Sequence, residues 1–160
     1  MVQETVGALG CRLILEPGRS LVGNAGILVT RVVYLKHGLH RRFVIVDAAM
    51  NDLIRPALYE AWHGIAPVRE PPADAALEPY DVVGPVCETG DTFALQRPLP
   101  LLAAGDLVVL HSAGAYGAAM ASSYNSRPLV PEVLVEADRY VLIRRRPSFS
   151  DMIVLERPWN

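Results

Sequence analysis

Residues 27–46, ILVTRVVYLKHGLHRRFVIV, decide the fold class. Ile27 to Leu35 is dominated by β-branched and aromatic side chains, the composition of a strand. His37-Gly38 turns the chain, and Arg42-Phe43-Val44-Ile45-Val46 returns in the same style. Two strands around a glycine turn make a β-hairpin. Outward toward the C-terminus, Arg55 to His63 is the one convincing helix, with Asp52 placed to cap it, Pro56 in its first turn and Gly64 at its end. Glu70-Pro71-Pro72-Ala73-Asp74-Ala75 reads as a surface loop. Further strands are expected at Asp81–Val86, Leu107–His111, Glu132–Val135 and Tyr140–Arg144, the first at an edge or bulge because of Pro85. Outward toward the N-terminus, Ser20-Leu21-Val22 suits a short helix, Glu16-Pro17-Gly18-Arg19 a turn and Cys11–Leu15 a short strand. The expectation is a mainly β domain, an antiparallel sandwich or open Greek-key barrel with one or two short helices. It would occupy residues 20–160, and residues 1–19 read as the end of a preceding unit.

Composition narrows the function. The chain has 160 residues, 51% of them apolar and 20% charged, enough apolar residues for one packed core. Fifteen basic residues against seventeen acidic ones leave a net charge of -2, so no basic excess points to nucleic acid. Two cysteines, Cys11 and Cys87, make no disulfide framework, and a cytoplasmic setting is expected. Val2-Gln3-Glu4-Thr5 has neither a basic nor an apolar character, and no secretory leader is expected. The longest uncharged run, 107–126, is rich in Ser, Gly and Asn, unlike the roughly 20 apolar residues of a membrane span. It reads better as the lining of a buried polar site. Lysine occurs once, at Lys36, so almost all positive charge is arginine, the residue that grips planar carboxylates and phosphates at two points.

Four segments carry possible chemistry. At Glu16-Pro17-Gly18-Arg19, a glycine admits close backbone approach and Arg19 adds charge, although an ordinary Pro-Gly turn reads the same way. Arg55 and Tyr59 stand four apart, sharing a helix face. Together they can hold a carboxylate or phosphate; a solvated arginine and a half-buried tyrosine fit that spacing too. Gly84-Pro85-Val86-Cys87-Glu88-Thr89-Gly90-Asp91 sets a thiol beside a carboxylate in polar surroundings. A thiol tuned by its surroundings serves as a general acid, whereas a lone cysteine such as Cys11 is more often buried and inert. Small residues around Tyr116 (114–117), followed by Ser122 to Pro128, admit a flat ring or simply pack a loop. His63 and His111 lack partners at metal-ligand spacing, and no metal site is expected.

Taken in order, EPGR (16–19), NDLIRPALY (51–59), GPVCETGD (84–91), GDLVVLHSAGAYGAAMASSYNSRP (105–128) and EVLV (132–135) resemble the fold-type III pyridoxal-phosphate decarboxylases. Many members have Ser where Thr89 stands. The resemblance implies that Glu16, Pro17, Gly18 and Arg19 close the phosphate side of the cofactor pyridoxal 5'-phosphate, with Arg19 also reaching a substrate carboxylate. It implies that Arg55 and Tyr59 grip the distal end of the substrate, that Glu88 pairs with a distal ammonium, that Tyr116 lies against cofactor and substrate, and that Cys87 is the catalytic proton donor. The resemblance implies meso-2,6-diaminopimelate as substrate and L-lysine as product, the last step of lysine biosynthesis, with Arg55 suited to the distal carboxylate and Glu88 to the distal ammonium. Ornithine and arginine decarboxylases are the nearest alternatives, but ornithine has no distal carboxylate and its enzymes carry Cys-Asp where Cys87-Glu88 stand. Alanine racemases lack the Cys-Glu segment. A non-catalytic β binding module would have no use for this combination of groups.

The resemblance further implies a homodimer with composite sites. Family members begin with a (β/α)8 barrel that carries the cofactor-anchoring lysine, and such a barrel takes about 250 residues. The chain is therefore expected to be the C-terminal portion of the enzyme, with 1–19 a remnant of the last barrel strand and its phosphate-side loop. Alone it is expected to be inactive.

Overall fold

The hairpin forms as expected: β1 (Leu28–His37) and β2 (Arg42–Val46) pair antiparallel, with Lys36 opposite Phe43. β1 carries a bulge between Val32 and Tyr34. A strand alternates with period two, so one extra residue switches which parity faces the core. Leu28, Thr30 and Val32 turn inward before the bulge and Leu35 after it, while Val33 is left exposed. Buried Thr30 is satisfied because its hydroxyl donates to Asp47 and accepts from Ala48 N.

The structure, a computed structural model, describes residues 2–157, so residues 1 and 158–160 of the two expected segments fall outside it. The remaining elements are α1 (Val2–Val6), α2 (Arg55–Tyr59), β3 (Ile65–Pro67), β4 (Leu77–Val83), β5 (Thr92–Pro100), β6 (Leu107–Leu110), β7 (Glu132–Glu136), β8 (Arg139–Arg144) and α3 (Phe149–Met152). Six strands make one sheet in the order β3-β6-β1-β2-β4-β5, and β7 and β8 form a separate hairpin. β1 is the corner strand: Leu28–Arg31 pair with β6 and Val32–His37 with β2.

Val32, Val44, Tyr80, Phe93 and Leu110, contributed by five different strands, belong to one buried cluster. Strands lie roughly 4.8 Å apart, so a flat six-stranded sheet would hold its outer strands about 24 Å apart. One shared core therefore requires the sheet to curl into a nearly closed barrel. Arg97, on outer strand β5, completes the closure. Its guanidinium donates to the His63 carbonyl at 2.8 Å and stacks on the Trp62 ring at 4.6 Å, beside the other outer strand. The domain is mainly β and open-barrel-like, as expected.

Several details differ from expectation. β5 was not anticipated because Pro98 and Pro100 interrupt it; as an outer strand it tolerates them. β4 stops at Val83, before Pro85, so that proline lies in the following loop. β2 and β4 run parallel, since the irregular connection through α2 and β3 acts as a crossover. α2 ends at Tyr59 rather than near His63, because Glu60 adopts φ 51 and caps the turn. Asp52 does not cap α2; it accepts from Ala49 N instead. Cys11–Leu15 is exposed and without regular structure, and Gly23–Ala25 forms a 3-10 turn where 20–22 suggested a helix. No described helix is long and apolar enough to cross a membrane.

Candidate active site

α2 is short and its face is set by Pro56 in the first turn, which fixes φ without costing a helical hydrogen bond. Arg55 and Tyr59 then lie on one side, with the Arg55 guanidinium 5.6 Å from the Tyr59 ring centre. The same guanidinium is 5.7 Å from the ring of Tyr116. Two phenol faces flank one cation, an arrangement that orients it while leaving its N–H groups for an anion.

Tyr116 reaches this position because two loops meet backbone to backbone. A Cβ on Gly114 would collide with the Val22 carbonyl, and one on Gly26 with Gly114 itself. Only glycines permit that approach. Ala113 N donates to Gly26 O at 2.8 Å and Gly114 N to Gly23 O at 3.0 Å, locking the contact. Tyr116 itself sits at φ 58, a left-handed backbone that a bulky residue adopts only where packing enforces it.

Gly18 lies close to the same tyrosine: a Cβ there would be 3.7 Å from the Tyr116 hydroxyl. Arg19, Arg55, Tyr59, His63 and Ser112 line one cavity of about 360 Å³. The structure thus gathers Gly18, Arg19, Arg55, Tyr59 and Tyr116, drawn from three distant segments. Glu16 and Pro17 lie exposed beside them in sequence.

Cys87 and Glu88 are not in the wall of that cavity. Both are exposed, in a loop on the other side of α2, where Gly90 faces Ala57 and Met50. Glu88 Oε1 accepts from Gly90 N at 3.0 Å. The loop is built around buried Asp91, whose carboxylate accepts from Met50 N at 2.6 Å and Val86 N at 2.7 Å. Gly84 is required because the Asp91 carboxylate occupies the place its Cβ would take. Burial pushes the Asp91 carboxyl up; the two N–H groups pull it back, and it ends above its ordinary value.

A second set of residues, Asn51, Asp52 and Arg127, joins these parts; sequence alone suggests only a capping role for Asp52 and none for the other two. The Asn51 amide donates to Asp52 at 3.0 Å and to the Ser122 carbonyl at 3.1 Å. Arg127 donates to Asn51 at 2.9 Å and to the Asp47 carbonyl at 2.6 Å, and stands 3.5 Å from Asp52. These contacts fasten the Tyr116 segment to the segment that carries α2. All three residues lie within quoted motifs, yet only their burial and long-range partners reveal the role. No group of His, Cys, Asp and Glu among the described residues is arranged to hold a metal ion.

Loops of the curled β-sheet thus gather two arginines and two tyrosines at one mouth, a chemistry that suits an anionic group. The model of the pyridoxal-dependent decarboxylase C-terminal sheet domain matches residues 19–114, and the chain belongs to that family. It is 52% identical over 153 residues to diaminopimelate decarboxylase of Zymomonas mobilis, covering 96% of this chain and 36% of that protein. With diaminopimelate decarboxylase of Pseudomonas aeruginosa the identity is 53% over 151 residues, or 94% and 36% of the two chains. A crystal structure of the Helicobacter pylori diaminopimelate decarboxylase complexed with L-lysine superposes with a TM-score of 0.83 at 45% identity, over 97% of this chain and 38% of that one. The chain thus spans little more than a third of the length of the curated relatives it matches.

Proposed function

We propose that this chain works as the C-terminal sheet domain of a cytoplasmic diaminopimelate decarboxylase, a carboxy-lyase converting meso-2,6-diaminopimelate to L-lysine and CO₂. The observation that carries the reading is the Arg55 guanidinium held between Tyr59 and Tyr116 at the wall of a cavity it shares with Arg19. A carboxylate at the unreacted end of the substrate is what such a cation selects, and ornithine has none.

The residues present suit one side of the surroundings of pyridoxal 5'-phosphate. Gly18 leaves its backbone uncovered near the Tyr116 hydroxyl, and Arg19 supplies a cation next to it. Glu16 to Arg19 would hold the phosphate side and Tyr116 would lie against the ring. When bound, this cofactor supplies an electron sink for the carbanion left by departing CO₂. The single lysine, Lys36, sits on β1 opposite Phe43. The anchoring lysine belongs, on this reading, to a barrel preceding residues 1–19, and the chain alone has no activity.

The substrate's distal carboxylate lies on Arg55 and Tyr59, its distal ammonium meets Glu88, and Cys87 donates the proton that replaces CO₂ at Cα. Exposure of Cys87 and Glu88 outside the Arg55 cavity supports their acting in the site of a second copy, which makes the enzyme a two-fold dimer.

The test is a substrate panel on the full-length enzyme carrying this chain. Turnover of meso-diaminopimelate, with ornithine and arginine left unreacted, is expected. Arg55→Leu should raise KM for meso-diaminopimelate by about 10²-fold, the loss of a charge-assisted bidentate contact worth ~1.5–3 kcal/mol. Efficient turnover of ornithine, or an unchanged KM in the variant, would contradict the reading.

A further inference from the structure

Trp62 and His63 close one wall of the cavity lined by Arg19, Arg55 and Tyr59. His63 is only 3% exposed. Its Nδ1 lies 2.8 Å from the His111 carbonyl oxygen. A carbonyl only accepts, so Nδ1 carries the hydrogen, and the neutral ring presents a lone pair at Nε2. That Nε2 is buried and has no hydrogen-bond partner among the described residues. Buried polar atoms of folded proteins are nearly always paired, so this nitrogen calls for a partner from outside the described residues, a water or a group of a ligand filling the adjacent cavity.

The ring is also fixed firmly enough to serve. Arg97 donates to the His63 carbonyl at 2.8 Å and stacks on neighbouring Trp62. At Gly64 a Cβ would stand 3.3 Å from the His111 ring, so the glycine lets the two segments close together.

We propose that His63 Nε2 is a substrate-binding acceptor, taking one N–H of the ammonium that shares a carbon with the carboxylate on Arg55. This rests on the proposed function and deepens it: one chain's cavity contacts both the carboxylate and the ammonium of the distal amino-acid group, while the ammonium's countercharge comes from the second copy. The three N–H donors of an ammonium allow Glu88 to supply the countercharge while His63 supplies a directional contact from inside the wall.

Two variants of the full-length enzyme separate the nitrogens. In His63→Asn the amide N–H takes the place of Nδ1–H, so the bond to His111 survives and only the free nitrogen is lost. In His63→Gln the longer amide reaches the Nε2 position and can still accept. His63→Asn should raise KM for meso-diaminopimelate about 10-fold, and His63→Gln should recover most of that. The inhibition constant of 2-aminopimelate, which lacks the distal ammonium, should not change in His63→Asn. An equal loss for both ligands, or no loss for either, overturns the inference. A second readout needs no variant: with ¹⁵N-histidine labelling, the His63 Nε2 resonance should move on adding meso-diaminopimelate and stay in place with 2-aminopimelate. An enzyme that turns over meso-diaminopimelate with that resonance unmoved overturns the role of His63 and leaves the proposed function standing. An enzyme without that turnover overturns the proposed function and this inference with it.

Discussion

Both oxygens of Asp91 are occupied, one by Met50 N and the other by Val86 N, and Gly84 makes the space they need. One buried side chain thus fixes the loop that carries Cys87 and Glu88. Asp91→Asn turns one acceptor into an NH₂ facing a backbone N–H, leaving a buried donor unpaired. The expected cost is about 1–3 kcal/mol in denaturant unfolding. In the full-length enzyme kcat should fall more than KM rises, because Cys87 would be misplaced; unchanged stability and kcat would refute this role for Asp91. The Arg55/Tyr59 pair was legible in the sequence because spacing within a helix is local. Asp91, Arg127 and His63 were not, since each acts on a backbone group far along the chain.

At the scale of elements, the β4/β5 ladder depends on a buried charge. Its register shifts between Tyr80 and Val82, and across from that bulge Gln96 adopts φ 48. Asp81 holds the irregularity: it accepts from Gln96 N at 2.8 Å and Gln96 Nε2 at 2.9 Å, with Arg41 at 3.0 Å. Burial alone would raise its carboxyl, but the Gln96 and Arg41 contacts outweigh that and leave it below its ordinary 3.8. A folded-state value below the unfolded one stabilises the fold fully above pH 3.8, and that contribution is lost as pH falls through the lowered value. The stability gap between the unsubstituted protein and Asp81→Asn should therefore narrow below pH 3.8, read by unfolding at a series of pH values. A constant gap would contradict it. β1 and β2 were readable because β-branched runs around a glycine turn specify themselves. β5 was hidden by its prolines, and the left-handed Glu60 that shortens α2 carries no sequence mark.

For the whole molecule, the β7/β8 hairpin is apolar yet exposed, with Tyr140 at 79% and Val135 at 68%. A lone two-stranded hairpin is marginal in water. On the proposed reading, the rest of the enzyme covers it. The same incompleteness governs the site, because one chain presents the Arg55 cavity on one side of α2 and the Cys87-Glu88 loop on the other. The central claim is that each chain contributes these two halves to two different sites. The direct test is complementation in the full-length enzyme, mixing a Cys87→Ala subunit with one whose cofactor-anchoring lysine is removed and allowing exchange. Shared sites predict that mixed dimers regain one intact site, so activity rises well above that of either variant alone. No recovery, with subunit exchange demonstrated independently, would place Cys87 in its own chain's site and contradict the account.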